Sequence, residues 1–509
     1  MVIDSKQVSQ TMPPDETGDR GGEGHGGGKG ERTAVRGVAV MLGSYLLTRL
    51  LNLTITIVLA RTLLPEGMGV VAVALLTVEV IDMLRDLGLR ETLIYNPSRD
   101  VTIQTTAFVM MFTVGCAQAL LLLAAAPLAP LVVADPQITA VLMWLALLFP
   151  INTLGSVQEA MLQKAFRFSR VALTEIASVL VKTGVALGLL SWGVGIWSIV
   201  AGILCGAVVR AAALWLVSNW RPTWVRPTRA AAKFLFGYGK HIIASNILNV
   251  CRTRADQMGI VLAMGDIALA VYFIAARIPE IVIFGVNVAV TRVVFPIFAS
   301  IADDRARLDA TYRATIHGAM TLMAPVSIGL AAIAPQVVLV LFSPEWSAAV
   351  PVLTLLAVSG IPMTLGWSMG DIFKATGRPN LLSRIMAIET AVIAPAVWIV
   401  AFATRSLDWV AMTLLLGEFC ASSFRLWCMQ RFGGVNTVDS LSAVARPVAA
   451  ALVMGMTVIG FAQAPLGVGD AARLGMSVGL GAAVYAVALY LIDRRNVRVW
   501  LAILFPARA

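Results

Sequence analysis

Apolar runs of about twenty residues recur along this chain, and their recurrence limits what it can become. A helix needs roughly 20 largely apolar residues to cross a bilayer, and about fourteen spans of that kind can be placed. They lie near 37–60, 69–88, 103–126, 138–160, 171–190, 196–218, 234–262, 267–296, 314–342, 348–370, 382–403, 409–430, 447–463 and 474–492. The fourth, seventh and tenth contain Pro, Gly, Asn or charge and are candidates for broken helices. Of the 509 residues, 58% are hydrophobic and 13% charged, against roughly a quarter charged in an ordinary soluble domain. A soluble fold of this composition lacks the polar cover for its own exterior, whereas a bilayer removes that need. The expected class is an all-α polytopic membrane protein.

The net charge is +10, but its distribution says more than its sum. Of the 39 Lys and Arg, 29 fall in the alternate set of segments that includes both termini, counting Arg425 with the connection after span twelve. Three (Arg61, Arg405 and Arg473) fall in the opposite set and seven within spans. Cytoplasmic loops retain basic residues, so both termini and every even-to-odd loop are expected inside. The basic residues orient the chain, and no nucleic-acid partner is needed to explain them.

No cofactor or metal site is expected. The five cysteines all fall in apolar spans without a ligand spacing, and the three histidines are far apart. Gly24-His25-Gly26-Gly27-Gly28-Lys29-Gly30 lacks the Ser or Thr and the preceding strand of a phosphate loop. Residues 1–35 read as a flexible cytoplasmic tail instead, with neither the apolar core nor the cleavage site of a signal peptide. Even the largest loops, about 20 residues, are too short for a catalytic domain, so enzymatic activity is not expected.

The longest basic connection, 219–240, divides the body into two groups of six spans, with two further spans at the end. The expected parts are 1–35, a first lobe 36–219, a second lobe 220–433, and 434–509 with spans thirteen and fourteen. Span one carries Tyr45, Arg49, Asn52 and Thr56; span seven carries Ser245, Asn249, Arg252 and Asp256. Both sets step i, i+4, i+7, i+11, which is one narrow helix face. Two repeats around a central site are the common plan of secondary transporters.

Charges inside spans are expensive and mark a pathway or a partner pair. Arg49 lies about 20 Å of helix from Arg36, too deep to snorkel easily. Its functional reading is an anion site with Asn52, and the structural alternative is an ion pair with Glu79 or Asp82 on span two. Arg252 and Arg254 stand about 200° apart on span seven, so only one shares the polar stripe, and Arg252 is the expected cavity residue. Arg254 is assigned to a pair with Asp256 or a neighbouring helix. Arg277 and Glu280 are i, i+3 neighbours; Glu175 and Lys182, two turns apart on one face, are too far for an ordinary contact and are read as pairing across helices; Arg210 and Arg292 are read as snorkelling side chains. Glu79 and Asp82 share a face and are the candidates for a coupling proton or sodium, whereas Asp86 beside Arg85 is read as solvated.

The end of span one reads Leu59-Ala60-Arg61-Thr62-Leu63-Leu64-Pro65-Glu66-Gly67-Met68-Gly69 and runs on to Asp86-Leu87-Gly88-Leu89. Further on come Phe166-Arg167-Phe168, Gly195-Ile196-Trp197, Arg221-Pro222, Arg254-Ala255-Asp256, Ala270-Val271-Tyr272, Pro296, Tyr312-Arg313 and Trp346. In that order, over about 37–430, the chain resembles bacterial polysaccharide flippases of the Wzx type, in the multidrug/oligosaccharidyl-lipid/polysaccharide exporter superfamily. Met264-Gly265-Asp266 departs from that pattern's Leu-Gly-Pro.

The resemblance implies a V-shaped bundle of two pseudo-symmetric six-helix lobes. It also implies carriage of an undecaprenyl-pyrophosphate-linked oligosaccharide from the inner to the outer leaflet of the bacterial inner membrane, by alternating access. The polar stripes fit such a cargo, since arginine's donor fork matches phosphate oxygens. The expected head-group residues are Arg49, Asn52, Lys182, Asn249, Arg252 and Arg277. Membrane lipids and a polysaccharide polymerase with its chain-length and export machinery are the expected partners. The rival readings are a cation-coupled multidrug exporter with an acidic cavity and a non-transporting scaffold for polysaccharide assembly.

Overall fold

A computed structural model describes residues 27–494, apart from 84, 86–87, 96–99, 224 and 465–466. Residues 1–26 of the expected tail, and Asp86, lie outside the described residues, as do the side chains of Tyr45, Ser245 and Arg292. No strand occurs among the described residues.

The first element, α1 (Gly27–Asp82), contains spans one and two and breaks between them at Leu64, whose φ is 56°. Positive φ is costly for leucine, but Pro65 follows, and its ring disfavours helix at the preceding residue while it offers no N–H to the ladder. The short α2 (Leu89–Tyr95) leads to α3 (Val101–Ala125). Span four is three pieces, α4 (Gln137–Leu145), α5 (Leu148–Thr153) and α6 (Ser156–Lys164), followed by α7 (Phe168–Ser191) and α8 (Trp197–Val217). After the connection that follows α8 come α9 (Arg229–Met264), α10 (Asp266–Ser300), α11 (Arg305–Ala332) and the short α12 (Ala334–Val337). Span ten is again segmented, into α13 (Ala349–Val358), α14 (Gly360–Trp367) and α15 (Met369–Ala375). Then follow α16 (Pro379–Thr404), α17 (Leu407–Cys428), α18 (Thr437–Ala462) and α19 (Asp470–Ile492).

Among the described residues, 11 segments are long and apolar enough to cross a membrane. One of them, Leu47–Asp82, contains the Leu64 break, and α9 and α10 add 36 and 35 residues of helix. At 1.5 Å per residue these last two reach about 50 Å each. The described chain therefore holds about fourteen segments of spanning length, in the order expected.

Packing sorts them. Helix α1 packs on α7, α7 on α8, α3 on α5 and α5 on α8. In the second half α9 packs on α16, α10 on α13, α11 on α14, and α17 on α13, α14 and α16. Helix α18 lies on α11, and α19 on α18. The two sets meet where α1 packs against α10 and α9, and a buried apolar cluster that includes Leu59, Val70, Leu269, Val338 and Trp346 runs across the junction. Helices α7 and α8 approach unusually closely, because a Cβ on Gly202 would come within 2.7 Å of the Lys182 carbonyl oxygen. Small residues at a helix crossing allow such backbone approach in a membrane.

Candidate functional site

Charged side chains from four helices gather where the two sets meet. Arg254 Nε of α9 lies 2.9 Å from Glu79 Oε2 of α1. On α10, Arg277 Nη1 is 3.3 Å from Glu280 Oε2, and its guanidinium stands 4.2 Å from the Phe273 ring centroid. Lys182 Nζ of α7 donates to Asn52 Oδ1 of α1 at 2.9 Å. Arg277 lies within reach of the charges on Glu280, Glu79, Arg254 and Arg49, Lys182 of those on Arg277, Glu175 and Glu79, and Glu79 of that on Asp82, so these groups share one field. Three guanidiniums and an ammonium, from Arg49, Arg254, Arg277 and Lys182, lie in that field with the carboxylates Glu79, Glu280, Asp82 and Glu175. Arg254 stands ten residues from the Met264 end of α9 and Arg277 eleven from the Asp266 start of α10. That is about 15 Å of helix in each case, half the thickness of a hydrocarbon core. Glu79 keeps 49% of its side chain exposed, so the cluster borders open space. Arg277 Nε is buried without a hydrogen-bond partner, which leaves one guanidinium donor unspent.

Such a cluster presents several N–H donors to one space. Charge at mid-membrane is costly, and here it is met by ion pairs that leave the Arg277 Nε donor unspent. Guanidinium forks hold phosphate oxygens two at a time, a geometry that an ammonium cannot match.

The structure brings together Arg49, Asn52, Lys182, Arg277 and Glu79 from the expected set, with Asp82 at the edge, but not Arg252 or Asn249. Helix α9 is rotated so that Arg254, assigned from sequence to a structural pair, faces the junction. Arg252, on the opposite side, lines a cavity of about 430 Å³ within the second set, with Lys374, Asp371 and Arg425. Asn249 is exposed, and its carbonyl accepts from Thr253 Oγ1 at 2.8 Å. Asp82 lies close enough for its charge to act on Glu79, while its oxygens pair with Arg85 one turn away. Asp256 is taken by the Tyr272 hydroxyl across the α9–α10 hairpin.

Each set also has its own ion cluster. In the first, Glu159 lies 2.6 Å from Arg90 and 3.0 Å from Arg210, which reaches Glu175 at 3.2 Å. Arg210 is thus paired rather than snorkelling, and Glu175 makes an interhelical pair with it, as expected. In the second, Arg425 sits between Glu389 at 2.7 Å and Glu418 at 2.8 Å. Arg425 had been counted with a loop, yet it is buried in α17. Its position seven residues after Glu418, two turns along one face, was the available signal.

At the end of the junction marked by Gly265, hydrogen bonds tie the sets together. Trp346 Nε1 donates to the Ala60 carbonyl at 2.9 Å, and Arg61 Nε to the Leu341 carbonyl at 2.8 Å. Gly69 packs so tightly that a Cβ there would lie 3.0 Å from Asp266. The Asp at the departure from the expected Leu-Gly-Pro turn is therefore a packing partner of span two.

Comparison with known proteins agrees with this architecture. The chain is 28% identical over 452 residues to the succinoglycan biosynthesis transport protein ExoT of Rhizobium meliloti (strain 1021), covering 87% of this chain and 89% of that protein. It is 23% identical to the lipopolysaccharide biosynthesis protein WzxC of Escherichia coli (strain K12), over 67% of this chain and 69% of WzxC. A solved structure of the lipid II flippase MurJ in an inward closed conformation matches 90% of this chain and 100% of that one, with a TM-score of 0.73 and 12% identity, a likeness of fold. The family model for polysaccharide biosynthesis proteins matches residues 58–351, more than half of the sequence, and the chain belongs to that family.

Proposed function

We propose that this protein carries an undecaprenyl-pyrophosphate-linked oligosaccharide from the inner to the outer leaflet of a bacterial inner membrane, for exopolysaccharide, capsule or O-antigen synthesis. The observation that carries the proposal is the cationic cluster at mid-membrane depth between the two helix sets, in a chain of the polysaccharide biosynthesis family. Arg254, Arg277, Lys182 and Arg49 would hold the pyrophosphate, with Asn52 adding hydrogen bonds to the head group.

In this reading residues 36–219 and 220–433 are the two lobes that rock about the cluster, and 434–509 is an appended pair of spans. The Lys and Arg asymmetry places both termini in the cytoplasm and the Gly265 end of the junction outside. The tied state of that end then corresponds to an inward-oriented protein. A polymerase and its chain-length and export machinery would take the delivered lipid.

The test is the purified protein in vesicles with a fluorescent undecaprenyl-pyrophosphate oligosaccharide in the inner leaflet. Protein-dependent appearance of the sugar in the outer leaflet is expected. No movement would favour the scaffold reading, and gradient-driven efflux of a cationic dye without lipid movement would favour the drug exporter.

A further inference from the structure

An apolar pocket of about 290 Å³ lies along the same junction, next to the Arg254–Glu79 pair. Its walls come from both sets: Leu76, Thr77 and Val80 of α1, and Met258, Val261 and Leu262 of α9. The end of α3 and the turn after it close one side with Ala125 and Ala129. Residues 73, 76, 77, 80 and 81, like 258, 261 and 262, form single helical stripes, so the pocket is a continuous apolar face and not a chance gap. Met258 stands one turn from Arg254 on the same face of α9, so a guanidinium lies about one helical turn beyond the apolar walls, outside the lining itself. Leu262 is 49% and Leu128 62% exposed, which leaves the rim open.

An apolar trough with a cation one helical turn beyond it complements an amphiphile with an anionic head and a hydrocarbon chain. Depth decides which amphiphile. Arg254 is about 15 Å of helix from the α9 end, close to the bilayer midplane. A resident phospholipid keeps its phosphate at the interface and cannot present it there. Only a lipid in transit brings a phosphate to this depth with its chain alongside. Resting on the flippase reading above, we propose that the α1–α9 seam is a subsite for the carrier lipid itself. Arg254 takes a phosphate oxygen in exchange for Glu79, and the Leu76–Leu262 pocket holds the isoprenoid units next to the pyrophosphate. The seam then recognises the carrier, whatever sugar it bears.

The experiment compares binding of farnesyl diphosphate and inorganic pyrophosphate to the purified full chain. The wild type is expected to bind farnesyl diphosphate at least ten-fold more tightly. Filling the pocket with Leu262→Trp, or separately Ala129→Phe, should bring that ratio close to one with pyrophosphate affinity unchanged, which also reports an intact fold. Arg254→Gln should weaken both ligands at least ten-fold. A wild-type ratio of one, or a ratio that survives both filled variants, overturns the proposal and assigns the pocket to ordinary acyl chains. Vesicle translocation by the wild type separates the two ideas. Movement without a chain-dependent ratio sinks the seam alone, whereas a pocket-dependent ratio without movement sinks the flippase reading and leaves the seam standing.

Discussion

Arg425 meets Glu389 fork to fork, with Nε 2.7 Å from Oε1 and Nη2 2.8 Å from Oε2, inside the second helix set. Glu418 closes the third side at 2.8 Å. Removing the arginine would strand two carboxylates in a low-dielectric interior, which costs far more than the pair contributes. Arg425→Met is expected to destabilise the protein by roughly 3–5 kcal/mol. Arg425→Lys should recover only part of this, lacking the fork. Unfolding in detergent measures both, and a wild-type midpoint for Arg425→Met would show that the cluster does not hold α16 to α17.

Arg254 and Glu79 join α9 to α1 in the charged cluster. The pair is partly exposed, so its own contribution to stability is small, about 1 kcal/mol at most. Its role is functional in the present reading. Arg254→Gln should lower translocation at least ten-fold while the unfolding midpoint barely moves. The reversed pair, Arg254→Glu with Glu79→Arg, should keep the link yet still transport poorly, because the guanidinium has left α9. Full transport by the reversed pair would mean that the cluster needs only a link and not a cation on that helix.

Trp346 holds the Ala60 carbonyl at the Gly265 end of the junction. Trp346→Phe removes one hydrogen bond, a loss of about 1 kcal/mol. If the bond exists only in the tied state, the opening equilibrium shifts about five-fold. After the native cysteines are replaced, the labelling rate of Asn52→Cys by an impermeant thiol reagent from outside reports that opening. An unchanged rate would remove Trp346 from the seal.

Gly202 lets α8 lie against α7 beside Lys182. Gly202→Val forces the backbones apart, and overpacking of this kind costs about 1–3 kcal/mol. Lys182 Nζ, 2.9 Å from Asn52, would shift with its helix. Lower stability together with weaker pyrophosphate binding is expected. A loss of stability alone would mean that Lys182 does not depend on that crossing.

The sequence made the helical, many-spanning architecture legible, because apolar run length and Lys/Arg placement are local quantities that a bilayer reads directly. The break at Leu64–Pro65 separating spans one and two was equally accessible. So was the polar stripe of span one, since helical periodicity fixes which residues share a face. It left open how far each helix is turned about its own axis. Arg252 and Arg254 differ by two residues and both carry a guanidinium, yet only Arg254 reaches Glu79, while Arg252 faces the second set's cavity. Likewise Arg210 reads from sequence as a snorkelling side chain, and the close α7–α8 crossing is part of what brings it to Glu175. A span's depth and its charges are properties of one helix, but a site is made by the rotations of four. Those rotations are set by packing between segments more than 100 residues apart, which no single stretch of sequence contains.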